Sequence, residues 1–402
     1  MKTEVISRGF SIIAFLIVIL TMFEPRLTNV RAETETERLW VDAKINGKPV
    51  RLAFDTGTEG FVLFRKTAER LGLQVTNAPS DTRLTPGRVK VGLADPCDLT
   101  IWGKTISGSF FVFDLPEGLH EKIDGALGWQ PLSKNIFLID AEKLELRPLD
   151  KAPEESTGWP KFRMQTNSDS LIIETTERDG ATTAVLVDTG SSYGISLHPR
   201  KWREWWATHT NQPATLAAYY RPGAGLVVSK EAWASQISIG SLALTDVPVQ
   251  EADSAEVALG GPQFEASLGL AALKHLDFIV DGNEGVVYAK AKRTAAPPYE
   301  HNRLGAVFVP RDLESDPLVA HVVKGSPAYL SGVRDGDILL KLDSEDVTKW
   351  RADPDVMPGP FHDPPGTKVV LTVRRGDTEF QTTVVLKDIL GRSESNQSRN
   401  PD

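Results

Sequence analysis

Two short stretches constrain this chain more than anything else in it. They are Leu52-Ala-Phe-Asp55-Thr-Gly57-Thr58 and its echo Val185-Leu-Val-Asp188-Thr-Gly190-Ser191. Each is an apolar run stopped by Asp-Thr-Gly and a second hydroxyl residue. The run reads as a buried strand, and glycine lets the backbone turn sharply after it. The carboxylate therefore sits at a strand end, where burial is costly unless its oxygens are hydrogen-bonded. Thr56, Thr58, Thr189 and Ser191 bring hydroxyls within range, and the amides of Gly57 and Gly190 can donate as well. One such motif also serves as an ordinary turn. Two in matched surroundings carry a stronger meaning.

The surroundings do match. Gly47 lies 8 residues before Asp55 and Gly180 lies 8 before Asp188, both in turn-like stretches that read as hairpins (Ile45–Pro49 and Glu177–Ala181). Further on, Ala126-Leu-Gly128 precedes Phe137-Leu-Ile-Asp140, as Ser267-Leu-Gly269 precedes Phe278-Ile-Val-Asp281. The front landmarks are 133 residues apart and the back landmarks 141, so the second unit has gained 8 residues in its middle. Internal repetition of this kind sets the fold: the pattern predicts a duplicated, mostly β domain. Packed about a pseudo-two-fold axis, the units would bring Asp55 and Asp188 face to face. Two adjacent carboxyls share one proton and titrate as a pair. One can then deprotonate a water while the other polarises a carbonyl, which is peptide hydrolysis without a covalent intermediate. The plainer reading is that both Asp residues cap turns at strand ends.

On these residues the chain resembles aspartic peptidases of the retropepsin/pepsin clan, over about 39–147 and 168–292. It is similar to bacterial retropepsin-like proteases in particular. Thr67-Ala-Glu-Arg-Leu-Gly-Leu73 and Ile123-Asp-Gly-Ala-Leu-Gly128 carry the match in the first unit. The resemblance implies two fused β-barrel lobes forming a pepsin-like unit, with Asp55 and Asp188 as the catalytic pair. It also implies that Thr58 and Ser191 support the outer carboxylate oxygens, and that an apolar-apolar-Gly braces each Asp loop. Ala126 and Ser267 depart from the first apolar position of that brace. The clan also closes a β-hairpin flap over the substrate. The candidates are Pro86-Gly87 in the first unit and, in the second, the run that holds Tyr219, Tyr220, Gly223 and Gly225. The two tyrosines are equally readable as packing residues.

The remaining sequence places this unit in a longer plan. Lys2 and Arg8 precede an apolar stretch of 14 residues, Phe10 to Phe23, and then Val30-Arg-Ala32. That is the layout of an export signal cut at Ala32/Glu33, with residues 10–23 as an uncleaved inner-membrane tether in the alternative. The stretch is short for a spanning helix. The expected location is the bacterial periplasm or the outside of the cell. Cys97 is the single cysteine, so the fold must stand without an internal disulfide. The net charge of -9, with no Lys/Arg block, argues against nucleic acid or an anionic membrane surface as a partner, and the resemblance implies a protein or peptide substrate. The histidines are scattered without ligand spacing, so no metal or other cofactor is expected. Trp202, Trp205 and Trp206 recur at helical spacing and read as a core-facing stripe. Lys151–Gly158 reads as the linker between the lobes.

A second linker, Lys292–Tyr299, leads to a different domain. Leu304-Gly-Ala-Val307, Gly325-Ser-Pro-Ala328 and Ser331-Gly-Val-Arg-Asp-Gly-Asp-Ile338 resemble a bacterial PDZ domain over 302–390. The resemblance implies that Leu304, Gly305 and Ala306 receive a peptide's C-terminal carboxylate while the peptide adds to the sheet edge. The groove-lining helix would fall in Trp350–Pro365, where five prolines oppose a helix. Docking on the protease lobes is then the other use of this domain. Residues 391–402 read as a disordered tail. Two rival readings remain at this stage. One is an inactive peptide-binding scaffold on a protease-like frame. In the other, each Asp serves a separate intermolecular site.

Overall fold

The structure, a computed structural model, describes residues 38–58, 60–77, 90–114, 124–165, 168–177, 179–221, 225–252, 264–292, 299–311, 315–350, 359 and 361–391. The export segment, Pro86, Gly87, Gly223, most of the expected groove helix and residues 392–402 lie outside these. Among the described residues, no helix is long and apolar enough to cross a membrane.

Among the described residues strands dominate, gathered into sheets of nine, twelve and six strands. In the first unit Trp40–Ile45 pairs antiparallel with Lys48–Asp55. Asn46 and Gly47, at φ 48° and 79°, make the tight turn whose twist suits a two-residue hairpin. In the second, Ile172–Thr176 pairs with Thr182–Val187 in the same way, around Gly180 at φ 85°.

Both units then use one unusual arrangement. Lys48–Asp55 runs parallel to Gly125–Gly128, which is also paired with Phe61–Phe64. Thr182–Val187 runs parallel to Ala266–Leu268, itself paired with Ile195–Leu197. The Asp-bearing strand of each unit is thus held from the far end of the same unit. The helix Arg65–Leu71 closes with Gly72 at φ 75°, whose amide reaches Glu69 O while the Leu73 amide reaches Ala68 O. This left-handed stop explains the Leu-Gly-Leu ending in physical terms.

The two units also share a sheet. Ile136–Asp140 of the first pairs antiparallel with Leu276–Asp281 of the second. The sheet takes in Lys161–Met164, between Val286–Ala291 and Ile172–Thr176, so regular structure begins before residue 168. One apolar core runs through both units, from Leu39 and Phe54 to Phe137 and Phe278. Trp202 belongs to it and Trp205 and Trp206 pack against it, so the tryptophan stripe is structural. Cys97 is buried and free. Residues from Leu304 onward form a separate core around Phe308, Val333 and Leu371.

Candidate active site

The two Asp-Thr-Gly loops meet. Asp55 and Asp188 are 2% and 0% exposed, and their carboxyls are in hydrogen-bond contact. Each takes the same local donors. The Gly57 amide donates to Asp55 Oδ1 at 2.9 Å and Thr58 Oγ1 to Oδ2 at 2.6 Å. The Gly190 amide donates to Asp188 Oδ1 at 3.1 Å and Ser191 Oγ to Oδ2 at 2.5 Å. Glycine is required at both turns by the opposite carboxyl. A Cβ at Gly57 would stand 2.9 Å from Asp188 Oδ1, and one at Gly190 2.6 Å from Asp55 Oδ1.

Thr56 and Thr189 tie the loops together. The Thr56 amide donates to Thr189 Oγ1 at 3.0 Å and the Thr189 amide to Thr56 Oγ1 at 3.1 Å. Each hydroxyl donates onward into the other unit, Thr56 to Val187 O at 2.6 Å and Thr189 to Phe54 O at 2.8 Å. Such a reciprocal exchange satisfies both hydroxyls and both amides. From below, the Trp129 amide holds Thr58 O and the Leu270 amide holds Ser191 O, so the apolar-apolar-Gly segments do brace the loops.

Symmetry fails in three places, each informative. First, Tyr193 Oη donates to Asp188 Oδ2 at 3.2 Å and lies 2.7 Å from Ser267 Oγ. At the matching positions the first unit has Gly60 and Ala126. The departure at Ser267 is therefore a built feature of the second unit. Second, Gly57 O accepts from Ser170 Oγ at 3.0 Å, whereas Gly190 O accepts from Arg38 Nη1 at 3.1 Å. Third, Arg38 thereby brings a guanidinium only 5% exposed beside both carboxyls. Burial pushes the Arg38 pKa down, and the two carboxylates oppose that shift. With one proton on the pair, two carboxyls and one guanidinium carry no net charge, the arrangement that burial favours. Burial pushes Asp55 up to about 6, opposed by the bonds from Thr58 and Gly57, by Arg38 and by Asp188. Arg38, Ser170 and Tyr193 escaped the sequence reading because single residues carry no spacing signal. Ser267 gave one, as a hydroxyl inside an apolar run.

The other candidates fall elsewhere. Tyr219 is buried in the hairpin of Ala214–Arg221 and Gly225–Ile239, which holds Tyr220 and Gly225 in its strands. That hairpin packs against the strand Ala306–Pro310. Leu304, Gly305 and Ala306 lie together where that strand begins, with Gly305 at φ 69°. Among the described residues, no cluster suited to a metal ion is present.

Family models match two parts of the chain. Residues 41–130 match the family model described as aspartyl protease, of retropepsin-like type, and residues 303–386 match that of the PDZ domain. No curated protein matches the chain. Among solved structures it is similar to the EIAV protease complexed with an inhibitor, at 22% identity over 26% of this chain and 91% of that one, with TM-score 0.20. It is also similar to the retroviral protease-like domain of Ddi1 from Leishmania major, at 22% identity over 30% of this chain and 98% of that one, with TM-score 0.23. The chain thus carries an aspartyl protease-like domain and a PDZ domain.

Proposed function

We propose that this chain is an exported aspartic endopeptidase whose two fused lobes supply one catalytic carboxyl each. The observation that carries the reading is the contact between Asp55 and Asp188 across the reciprocal Thr56/Thr189 bonds. Asp188 receives three donors, from Gly190, Ser191 and Tyr193, a set that suits an anion. Asp55, pushed up to about 6 by burial, accepts from Gly57 and Thr58 and shares one proton with Asp188. In the reaction the ionised carboxyl of the pair takes a proton from a water placed between the two, while the protonated one gives its own to the peptide carbonyl oxygen. The tetrahedral diol then collapses, the C–N bond breaks, and the leaving nitrogen takes a proton from the pair. Export follows from the N-terminal segment, with the periplasm or exterior as the site of action and residues 10–23 as the tether if the segment is not cut.

The test is digestion of a mixed peptide library by the chain from Glu33 onward, across roughly pH 3–8, with and without a statine-type inhibitor. Cleavage should be blocked by the inhibitor and lost equally in Asp55→Asn and Asp188→Asn. Full cleavage by either variant would overturn the mechanism. No cleavage at any pH by the folded wild type would favour the scaffold reading.

A further inference from the structure

The strand Ala306–Pro310 lies at one edge of the PDZ sheet, yet all five of its residues are buried. Ala306 and Phe308 point into the PDZ core. Val307 and Val309, each 6% exposed, belong to neither core. The second lobe's long hairpin packs against this strand, and its outer strand Ala214–Arg221 is itself the edge of the twelve-stranded sheet. Leu216, Tyr219 and Val227 of that hairpin are likewise buried outside both cores. Each sheet shields the other's edge, which an edge strand requires in one form or another.

Asn302 joins the two. Its Oδ1 accepts the Leu304 amide at 2.9 Å and the Gly305 amide at 3.1 Å. Its Nδ2 donates to Ala306 O at 2.8 Å and to Leu216 O at 3.0 Å, and its own carbonyl accepts Thr215 Oγ1 at 2.6 Å. Two successive amides converging on one oxygen, beside a glycine of positive φ, form the kind of concavity that captures a terminal carboxylate. Here a side-chain amide oxygen from the same chain already fills it.

We propose that the PDZ domain is closed in cis. Asn302 stands in for a ligand's terminal carboxylate, and the second-lobe hairpin covers the strand along which a ligand would lie. A peptide with a free carboxy terminus then enters only by displacing Asn302 and releasing the hairpin. The proposal rests on the PDZ domain and its contacts, so it stands whether or not the Asp pair hydrolyses peptides.

The experiment uses the chain from Glu33 onward and a library of fluorescent peptides with free, apolar carboxy termini, read by anisotropy. Two variants open the contact from opposite sides, Asn302→Ala within the PDZ domain and Thr215→Val within the lobe. Each removes one or more buried hydrogen bonds, so the best peptides should bind about tenfold tighter to either variant than to wild type. C-terminally amidated peptides should show no such gain. Hydrogen exchange should rise at 214–221 in both variants and, in wild type, on saturation with peptide. Protection of Lys368–Arg375 shows that the domain is still folded. Binding to wild type that equals binding to the folded variants overturns the proposal. So does peptide saturation that leaves exchange at 214–221 unchanged.

Discussion

Ser267 Oγ lies 2.7 Å from Tyr193 Oη, which donates in turn to Asp188 Oδ2 at 3.2 Å. With the tyrosine proton committed to Asp188, the serine must be the donor to Tyr193. The chain therefore gives one carboxyl of the pair an outer support that the other lacks. Tyr193→Phe should lower kcat/KM about tenfold through loss of one charge-assisted bond. Ser267→Ala should cost less, and should add nothing in the Tyr193→Phe background. An additive double variant, measured on the best library peptide, would show that the two hydroxyls act separately.

The exchange between Thr56 and Thr189 makes a prediction about stability. Replacing either by Val keeps the branched shape and removes a hydroxyl that both accepts an amide and donates to a carbonyl. Each single change should cost about 2–4 kcal/mol, because buried partners are left unpaired. Together they should cost slightly less than their sum, since the direct bond from Thr56 Oγ1 to Thr189 Oγ1 at 3.3 Å is lost in either. Urea denaturation of the three variants, with the Ser variants as controls, measures this. Single variants that cost less than about 0.5 kcal/mol would mean that these bonds do not hold the loops together.

Arg38 should set the pH at which activity fades. Hydrolysis needs one proton on the pair, so the descending limb of the pH profile marks the loss of that last, shared proton. The nearby guanidinium pulls the Asp55 pKa down, so Arg38→Met should move the descending limb of the pH profile to higher pH, while Arg38→Lys should largely restore it. A limb that stays in place, or moves down, would show that Arg38 acts only through Gly190 O.

How much of this was readable from the chain depends on whether a feature repeats. Asp55 and Asp188, with their hydroxyl partners, announce themselves through matched spacing, and the glycine hairpins follow the same logic. The sheet shared between the lobes was hidden, because Ile136–Asp140 meets Leu276–Asp281 across a long stretch of sequence that no local pattern records. Arg38 was hidden because it precedes its strand as an ordinary charged residue, and only the fold buries it. Asn302 lay in what read as the start of a domain. Its two-sided bonding exists only once a lobe and the PDZ domain are in contact.

That contact has a further consequence for stability against pH. Glu231, on the inner strand of the hairpin, is 3% exposed and accepts a hydrogen bond from Tyr299 Oη. Burial pushes its pKa up to about 7 from 4.5, with the bond from Tyr299 opposing the rise. A carboxyl raised in this way contributes stability that is fully present below about 4.5 and is lost as pH rises through about 7. The loss is on the order of 3 kcal/mol, because each tenfold change in proton affinity is worth about 1.4 kcal/mol. His301 runs the other way. Burial first, then Arg303, pushes it down to about 4, so its contribution is present above about 6.5 and lost as pH falls toward 4. Glu231→Gln stays neutral throughout and leaves the His301 and Asp55 contributions in place. Relative to wild type, it should therefore gain stability between pH 5 and pH 8, by about 2–3 kcal/mol in urea denaturation. An unchanged difference between wild type and variant across that range would show that Glu231 ionises without cost where it stands.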